Sequence, residues 1–507
     1  MKAILRPLVV LCALAVASAA ERPNILFVAV DDLRPEFGAY GASYVHSPNL
    51  DRIAKAGITF NRSYCQQAVC SPTRSSLMTG TRPDTTKVWD LVTHFRDALP
   101  NVVTLGQHFK NNGYFVQGMG KIYHGGYDDP ATWSVPWQRP NAPGYAIKEN
   151  LVGETAALNA EPDAAPAAKK RGKKQPDGKT KAPTPRNSRG PAFEGADVPD
   201  DTFVDGKVAT LAVSTLRDLS KKQEPFFLAV GFARPHLPFV APKKYWDLYD
   251  PAKITLAPNS FRPKDAPDYA IVPGGELRAY RDIPEGHVPD DLARQLKHGY
   301  YAAISYMDAQ LGRVLDELDR LDLRKNTIVI LWGDHGWKLG EHDAWCKHTN
   351  CENDTNTALL LSVPGMKSAG AKTNGIVEFV DIYPTLAELA GLPLPAHLEG
   401  LSFKPLLENP TRPWKQAAFS QYPRPAGQTS GGQPLMGYAM RTERYRFVVW
   451  VGRNDHSKID AIELYDHQTD PQENQNIAKR PENAALVAQL MTQWKAGWRG
   501  AQPLVPQ

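Results

Sequence analysis

Cysteine is scarce in this chain. Of five in 507 residues, Cys12 lies in the amino-terminal apolar run, which leaves Cys65, Cys70, Cys346 and Cys351. Four are too few for a disulfide scaffold, and none of the spacings suits zinc. Only Cys346 and Cys351 stand as a possible pair in an oxidising compartment. A hydrophobic run long enough to cross a bilayer is also lacking, so no integral membrane segment is expected in the mature chain. The one extended apolar run comes first: Lys2 and Arg6, then Pro7 to Ala17, then small residues up to Ala20. Residues 1–20 therefore read as a cleaved signal peptide, and Leu11 before Cys12 speaks against a lipid anchor. The expected location is outside the cytoplasm, secreted or periplasmic.

Aromatic residues are missing from the one strongly basic segment. Between Lys169 and Arg189 there are nine Lys and Arg against one acid, Asp177. Removing that segment and the two basic residues of the leader turns the formal +5 of the chain into −5, so basicity belongs to an insert and not to the folded body. Residues 160–190, rich in Ala, Pro, Lys and Gly, read as a disordered basic insert. Without a stacking platform, in an exported protein, it predicts no nucleic-acid binding. A solvated loop and attraction to a polyanionic glycan both stay open. Hydrophobic content of 42% and charged content of 22% are those of an ordinary globular protein. The length accommodates one large domain, 21–410, and a smaller one, 411–507.

Four apolar runs carry the fold. Asn24 to Val30 and Asn326 to Trp332 are nearly continuous hydrophobic stretches, the pattern of strands buried on both faces of a parallel sheet. The first stops at Asp31-Asp32, the second at Gly333-Asp334-His335. Pro225 to Phe232 leads to Arg234-Pro235-His236, and Tyr114 to Gly120 leads to Lys121 and His124. Open α/β sheets bind ligands at the carboxyl ends of their strands. Clustered carboxylates there do not all stay ionised without a cation, which points to a hard-metal site. Helical stretches alternate with the strands; in Asp291 to Asp322, Ile304, Met307, Leu311, Val314, Leu315 and Leu318 share one face. The alternation predicts an α/β fold with a doubly wound sheet. Ser71 to Thr79 contains no breaker before Gly80, and Pro72 suits a first turn. Cys70 is thereby placed at a helix N-terminus, where unpaired N–H groups favour sulfate or phosphate.

Cys70-Ser71-Pro72-Thr73-Arg74 resembles the C-x-P-x-R motif of type I sulfatases, in which the cysteine is converted to formylglycine. With Asn24 to Asp32, Gly120 to His124, Arg234 to Pro238 and Gly333 to Lys347, the resemblance to sulfatases of the alkaline-phosphatase-like superfamily spans nearly the whole mature chain. Within that superfamily, Arg82 to Thr86, Gly120 to His124 and Asp334 to His342 are most similar to the iduronate-2-sulfatases. The resemblance implies a doubly wound mixed sheet sandwiched by helices, with a smaller C-terminal α+β subdomain. It implies one Ca2+ held by Asp31, Asp32, modified Cys70, Asp334 and His335, the last standing where many sulfatases have asparagine. Arg74 would orient and stabilise the aldehyde hydrate, and Lys121 and Lys347 would neutralise sulfate oxygens. His236, aided by Lys347, would protonate the departing alcohol. His124 would take the proton of the second hydroxyl as sulfate leaves.

The implied reaction is hydrolysis of sulfate esters of a sulfated glycan, with the 2-O-sulfate of iduronate-type uronic acids as leading substrate. Sulfates of other polysaccharides, algal ones among them, aryl sulfates, and phosphonates or phosphodiesters are the alternatives. A further one is a non-catalytic glycan-binding relative that keeps Cys70 as a thiol. The implied maturation partner is a formylglycine-generating enzyme or an anaerobic sulfatase-maturing enzyme. The basic insert, and Cys346 and His348 beside Lys347, depart from the family pattern. Trp89, Asp90, His94 and Trp337 are candidate sugar contacts, while His342 and His348 either pack or line the site. Beyond Pro413, Tyr438 to Arg441, Tyr445 to Val451 and Ile462 to Tyr465 read as antiparallel strands, and Pro481 to Trp498 as an amphipathic helix.

Overall fold

The structure, a computed structural model, describes residues 22–151, 189–272 and 275–503. The signal-peptide reading of 1–20 and, apart from Arg189 and Gly190, the insert reading of 160–190 lie outside the described residues.

Seven strands form the central sheet: β1 (Asn24–Val30), β2 (Ile58–Phe60), β3 (Phe115–Gly120), β4 (Phe226–Phe232), β5 (Thr327–Gly333), β6 (Leu359–Ser362) and β7 (Lys372–Thr373). Their spatial order is β7-β2-β6-β5-β1-β4-β3. β3, β4, β1 and β5 run parallel, and β6 is antiparallel to both its neighbours, so the sheet is mixed. Helices α1 (Cys70–Thr79), α2 (Val204–Leu219), α3 (Asp290–Arg320) and α4 (Ile382–Leu389) cover it on two sides. Leu26, Val28 and Val30 of β1 pack with Val208 and Leu216 of α2 and Ile304 and Leu311 of α3. The alternate residues Ile25, Phe27 and Ala29 pack with Leu77 and Met78 of α1 and Ile382 and Leu386 of α4. Burial on both faces is why these strands read as apolar runs without alternation. Each fully buried large side chain contributes about 1.5–3 kcal/mol relative to exposure.

Register sets the site. Val30 of β1 stands level with Gly333 of β5 and Phe232 of β4, and Gly120 of β3 stands level with Gly231 of β4. The strands therefore end on one line, and the polar residues that follow emerge along one rim. Asp31 N–H donates to Phe232 O at 3.2 Å and Asp334 N–H to Val30 O at 3.1 Å, which extends the pairing into the acidic residues themselves. At Gly231 the chain exiting β3 comes so close that a Cβ would lie 2.3 Å from the carbonyl carbon of Lys121. Gly231→Ala is expected to push Lys121 off the rim and to cost about 1–3 kcal/mol, as overpacking does. Thermal melts and kcat of the variant check it, and unchanged values for both would contradict this account of the rim.

The C-terminal part carries a second sheet, β8 (Ala417–Arg424), β9 (Leu435–Thr442), β10 (Tyr445–Gly452) and β11 (Asp455–Asp466), antiparallel in chain order. Helix α5 (Ala484–Gly500) lays Leu490 against Phe447, Val449 and Leu464. Buried ion pairs join this sheet to the large domain. Arg446 of β10 binds Glu352 and Glu473, and Arg82 and Lys415 share Glu378. Among the described residues no helix is long and apolar enough to cross a membrane, and Cys65, Cys70, Cys346 and Cys351 are free thiols.

Candidate active site

β1 ends in Asp31-Asp32. Asp32 takes the left-handed conformation, φ 59°, and that turn sends two successive carboxylates to different partners. Asp31 accepts from Arg74 Nη2 at 3.1 Å and from Lys121 Nζ. Asp32 meets Lys347 Nζ with both oxygens at 3.0 Å, and its Oδ1 lies 3.3 Å from His335 Nε2. From the adjacent β5, Asp334 accepts from the backbone N–H groups of Asp32 and His335 at 3.0 Å each and from Arg74 Nε at 2.9 Å. All three acids are fully buried. Burial first, with the charge of Asp31 adding to it, lifts the Asp334 carboxyl above the usual range. Burial also works against ionised Asp31, but Lys121, His236 and Arg74 outweigh it and hold that carboxyl well below the usual range.

Cys70 opens α1 and points its thiol into these acids: Sγ lies 3.5 Å from Asp31 Oδ1 and 3.3 Å from His335 Nε2. Arg74 follows one helical turn later, on the same face. Its side chain, wholly buried, also donates to the carbonyls of Lys121 and Ile122, tying the helix to the exit of β3. Burial, and next the charge of Asp31, push the Cys70 thiol well up. As an unmodified thiol it is protonated and a poor nucleophile.

The donor atoms of Asp31, Cys70, Asp334 and His335 all lie within 4.8 Å of one another. His335 Nδ1 lies 3.0 Å from Gly336 O, a pure acceptor, so Nδ1 carries a proton and Nε2 is the nitrogen turned toward the acids, placed to ligate a cation. Carboxylate oxygens suit a hard divalent cation, and an oriented imidazole nitrogen completes the set. His335 Nε2 is a borderline donor and the sulfur of Cys70 the soft one, and an oxygen in place of that sulfur leaves a set dominated by hard carboxylate-type oxygens. The residues therefore fit a calcium-type ion once residue 70 presents oxygen.

Across from the acids stand the basic groups. Lys121 leaves β3, and His124 lines the next hollow with Lys121, Trp137 and Arg139, its ring stacked near Tyr127 at 6.2 Å. His236 follows β4 and Lys347 arrives on the loop after β5. Burial opposes a charged His236, yet Glu276 and Asp32 raise its pKa above the usual value. The structure thus gathers Asp31, Asp32, Cys70, Arg74, Lys121, His236, Asp334, His335 and Lys347 at one point, with His124 alongside. Glu276, on the short 3-10 turn Gly275–Ala279, joins them and was not readable: it sits in a glycine-rich stretch with no strand before it. A Cβ at Gly275 would lie 2.6 Å from Cys346 Sγ, so close packing beside Lys347 explains the glycine.

Among the candidate sugar contacts, Trp337 is a correction. It is fully buried, its ring beneath the Lys347 ammonium at 4.8 Å, and no sugar reaches it. His342 is also buried and bonds Gln472 O at 2.8 Å, which makes it a packing residue. His94 accepts from Arg96 N–H at 3.0 Å, Asp90 binds the N–H groups of Val92 and Thr93, and the Trp89 ring lies under Arg453.

The sulfatase family profile matches residues 23–392, and the profile for the C-terminal part of N-sulphoglucosamine sulphohydrolase matches residues 340–497. Iduronate 2-sulfatase of Mus musculus is 35% identical over 544 residues, covering 93% of this chain and 94% of that protein. The same enzyme of Homo sapiens is 34% identical over 545 residues, with 94% of each covered. The solved phosphonate monoester hydrolase SpPMH from Silicibacter pomeroyi superposes with a TM-score of 0.72 at 21% identity, covering 95% of this chain and 96% of that one, a likeness of fold. With the acids, the arginine and the cysteine meeting at strand ends of that fold, and with this extent of sequence identity, the chain belongs to the sulfatase family, the hydrolases of sulfuric esters.

Proposed function

We propose that this chain is an exported glycan sulfatase that removes the 2-O-sulfate of iduronate-type uronic acid residues, with Cys70 matured to formylglycine and one bound Ca2+. The observation that carries the chemistry is the placement of Cys70 and Arg74 against three buried carboxylates and His335. Identity of 34–35% to iduronate 2-sulfatases over nearly the full length supports the substrate. Asp31, Asp32, Asp334 and His335 would hold the ion together with residue 70. Formylglycine beside calcium supplies an oxygen nucleophile and a second hydroxyl whose collapse frees the enzyme of sulfate.

The chain's own residues do the rest. Arg74 orients residue 70 through its helix and offsets negative charge as it builds there. Lys121 and Lys347, paired with Asp31 and Asp32, would offer their remaining N–H groups to sulfate oxygens and offset their charge. His236 donates its Nε2 proton to the departing sugar oxygen, and His124 accepts a proton as sulfate is released.

Desulfation of defined heparan, dermatan and algal oligosaccharides tests the reading. The expected result is release from terminal 2-O-sulfated uronic acid. Activity confined to aryl sulfates, or to algal glycans, would overturn the substrate, and preference for phosphonates or phosphodiesters would overturn the sulfatase assignment for this site.

A further inference from the structure

We propose that Glu276 is a positioning residue for sulfate-ester cleavage: its carboxylate bridges His236 and Lys347 and holds both donors on one edge of the sulfate seat. The inference rests on the reading of His236 as proton donor to the leaving sugar. Glu276 Oε1 lies 3.2 Å from His236 Nε2 and Oε2 lies 2.8 Å from Lys347 Nζ, so each oxygen serves one donor. The other ring nitrogen, Nδ1, lies 2.6 Å from Leu237 O. A carbonyl has no hydrogen to give, so Nδ1–H donates to it. The opposite ring edge, Nε2, faces the Glu276 carboxylate as an ion-pair contact. Held at both nitrogens, the ring keeps Nε2 turned to the sulfate seat, the orientation an acid needs before the reaction.

Among the described residues no other carboxylate lies as close to His236 Nε2. Asp32 Oδ2 is 4.0 Å from His236 Nε2, beyond a hydrogen bond. Lys347 is held between Asp32 and Glu276; without Glu276 its ammonium keeps the Asp32 carboxylate alone and loses the bridge to His236. Arg189, 3.7 Å from Glu276 Oε1, secures the carboxylate from behind. In the reaction the His236 Nε2 proton passes to the ester oxygen as the S–O bond breaks and the bonding pair goes to that oxygen. Glu276 neither gains nor loses a proton. Its contribution is to keep the ring turned and Lys347 beside it.

The leaving group decides the test, because a sugar alkoxide needs that proton and a nitrophenolate does not. For Glu276→Gln in the full-length enzyme, kcat on a 2-O-sulfated uronic acid disaccharide should fall ~100-fold, the lower end of what general acid catalysis contributes. On 4-nitrophenyl sulfate kcat should stay within about threefold, with KM and melting temperature close to wild type in both assays. Glu276→Asp should recover part of the sugar activity. Equal losses on the two esters would overturn the proposal in favour of a plain structural role. A lower KM with unchanged kcat on both would overturn it in favour of a carboxylate that merely blocks the sulfate seat. If the wild-type enzyme cleaves no uronic acid sulfate, the proposed substrate fails, and a simple alkyl sulfate paired with 4-nitrophenyl sulfate gives the same contrast for Glu276.

Discussion

Cys70→Ala is expected to remove turnover entirely while leaving the fold in place. On the proposed reading residue 70 is the attacking group, so its loss should cost at least ~10,000-fold in kcat, as loss of a nucleophile does. The fold should survive because the thiol makes only two weak contacts, at 3.5 Å to Asp31 and 3.3 Å to His335. The buried charges around it remain paired through Arg74, Lys121 and Lys347. Steady-state kinetics and a thermal melt of the purified variant check both halves, and normal turnover would refute the nucleophile. Cys70→Ser adds a finer expectation. A serine accepts sulfuryl but has no second hydroxyl with which to release it, so the protein should stall with one sulfuryl group added to the peptide that contains residue 70. In the wild type the same peptide should show an aldehyde in place of the thiol.

Arg446→Ala should give the largest loss of stability. The Arg446 side chain, 1% exposed, binds Glu473 and Glu352 and donates to Asn350 O at 2.6 Å. Truncation leaves carboxylates buried with too little positive charge, a situation that costs about 3–5 kcal/mol. Burial opposes ionisation of both acids. Against it, Arg441 and Arg446 hold Glu352 down to about 2, and Arg446 and His467 hold Glu473 lower still. Carboxyls held below their unfolded value of ~4.3 contribute stability that is complete above that pH and is lost as pH falls toward the folded value. Wild type and variant should therefore differ most near neutrality, and the gap should close between about pH 4 and 2. Denaturant melts at both ends measure it; a neutral-pH difference under about 1 kcal/mol would contradict the role assigned to this pair.

Strands buried on both faces were legible as short, nearly unbroken apolar runs, too short for a helix of ordinary length and rich in β-branched and aromatic residues. Asn24 to Val30 coincides with β1, and Pro225 to Phe232 overruns β4 by one residue. Their polar successors were legible for the same reason: an abrupt Asp-Asp or Asp-His after such a run has few structural uses. The α1 boundaries followed from Pro72 and Gly80. Less was visible where context makes the element. β8 was missed because Pro423 interrupts it and its partner β9 supplies the pairing. The short strands β2, β6 and β7 are fixed by neighbours far along the chain. Trp337 resembled a sugar platform because sequence shows a ring and not its depth. Glu276 lies more than 40 residues past the end of β4, and only folding brings it to His236.

The burial of α1 also has a consequence in time. All ten of its residues are buried, and Cys70 itself is 3% exposed. An enzyme that recognises C-x-P-x-R needs those side chains in its own cleft, and the finished fold does not offer them. On the proposed maturation of Cys70, its oxidation would precede closure of α1 onto the sheet, as the chain emerges or while it is still open. Folding would then act as a deadline: a chain that folded first would seal a thiol among acids, shaped for the proposed reaction and without the oxygen that reaction needs.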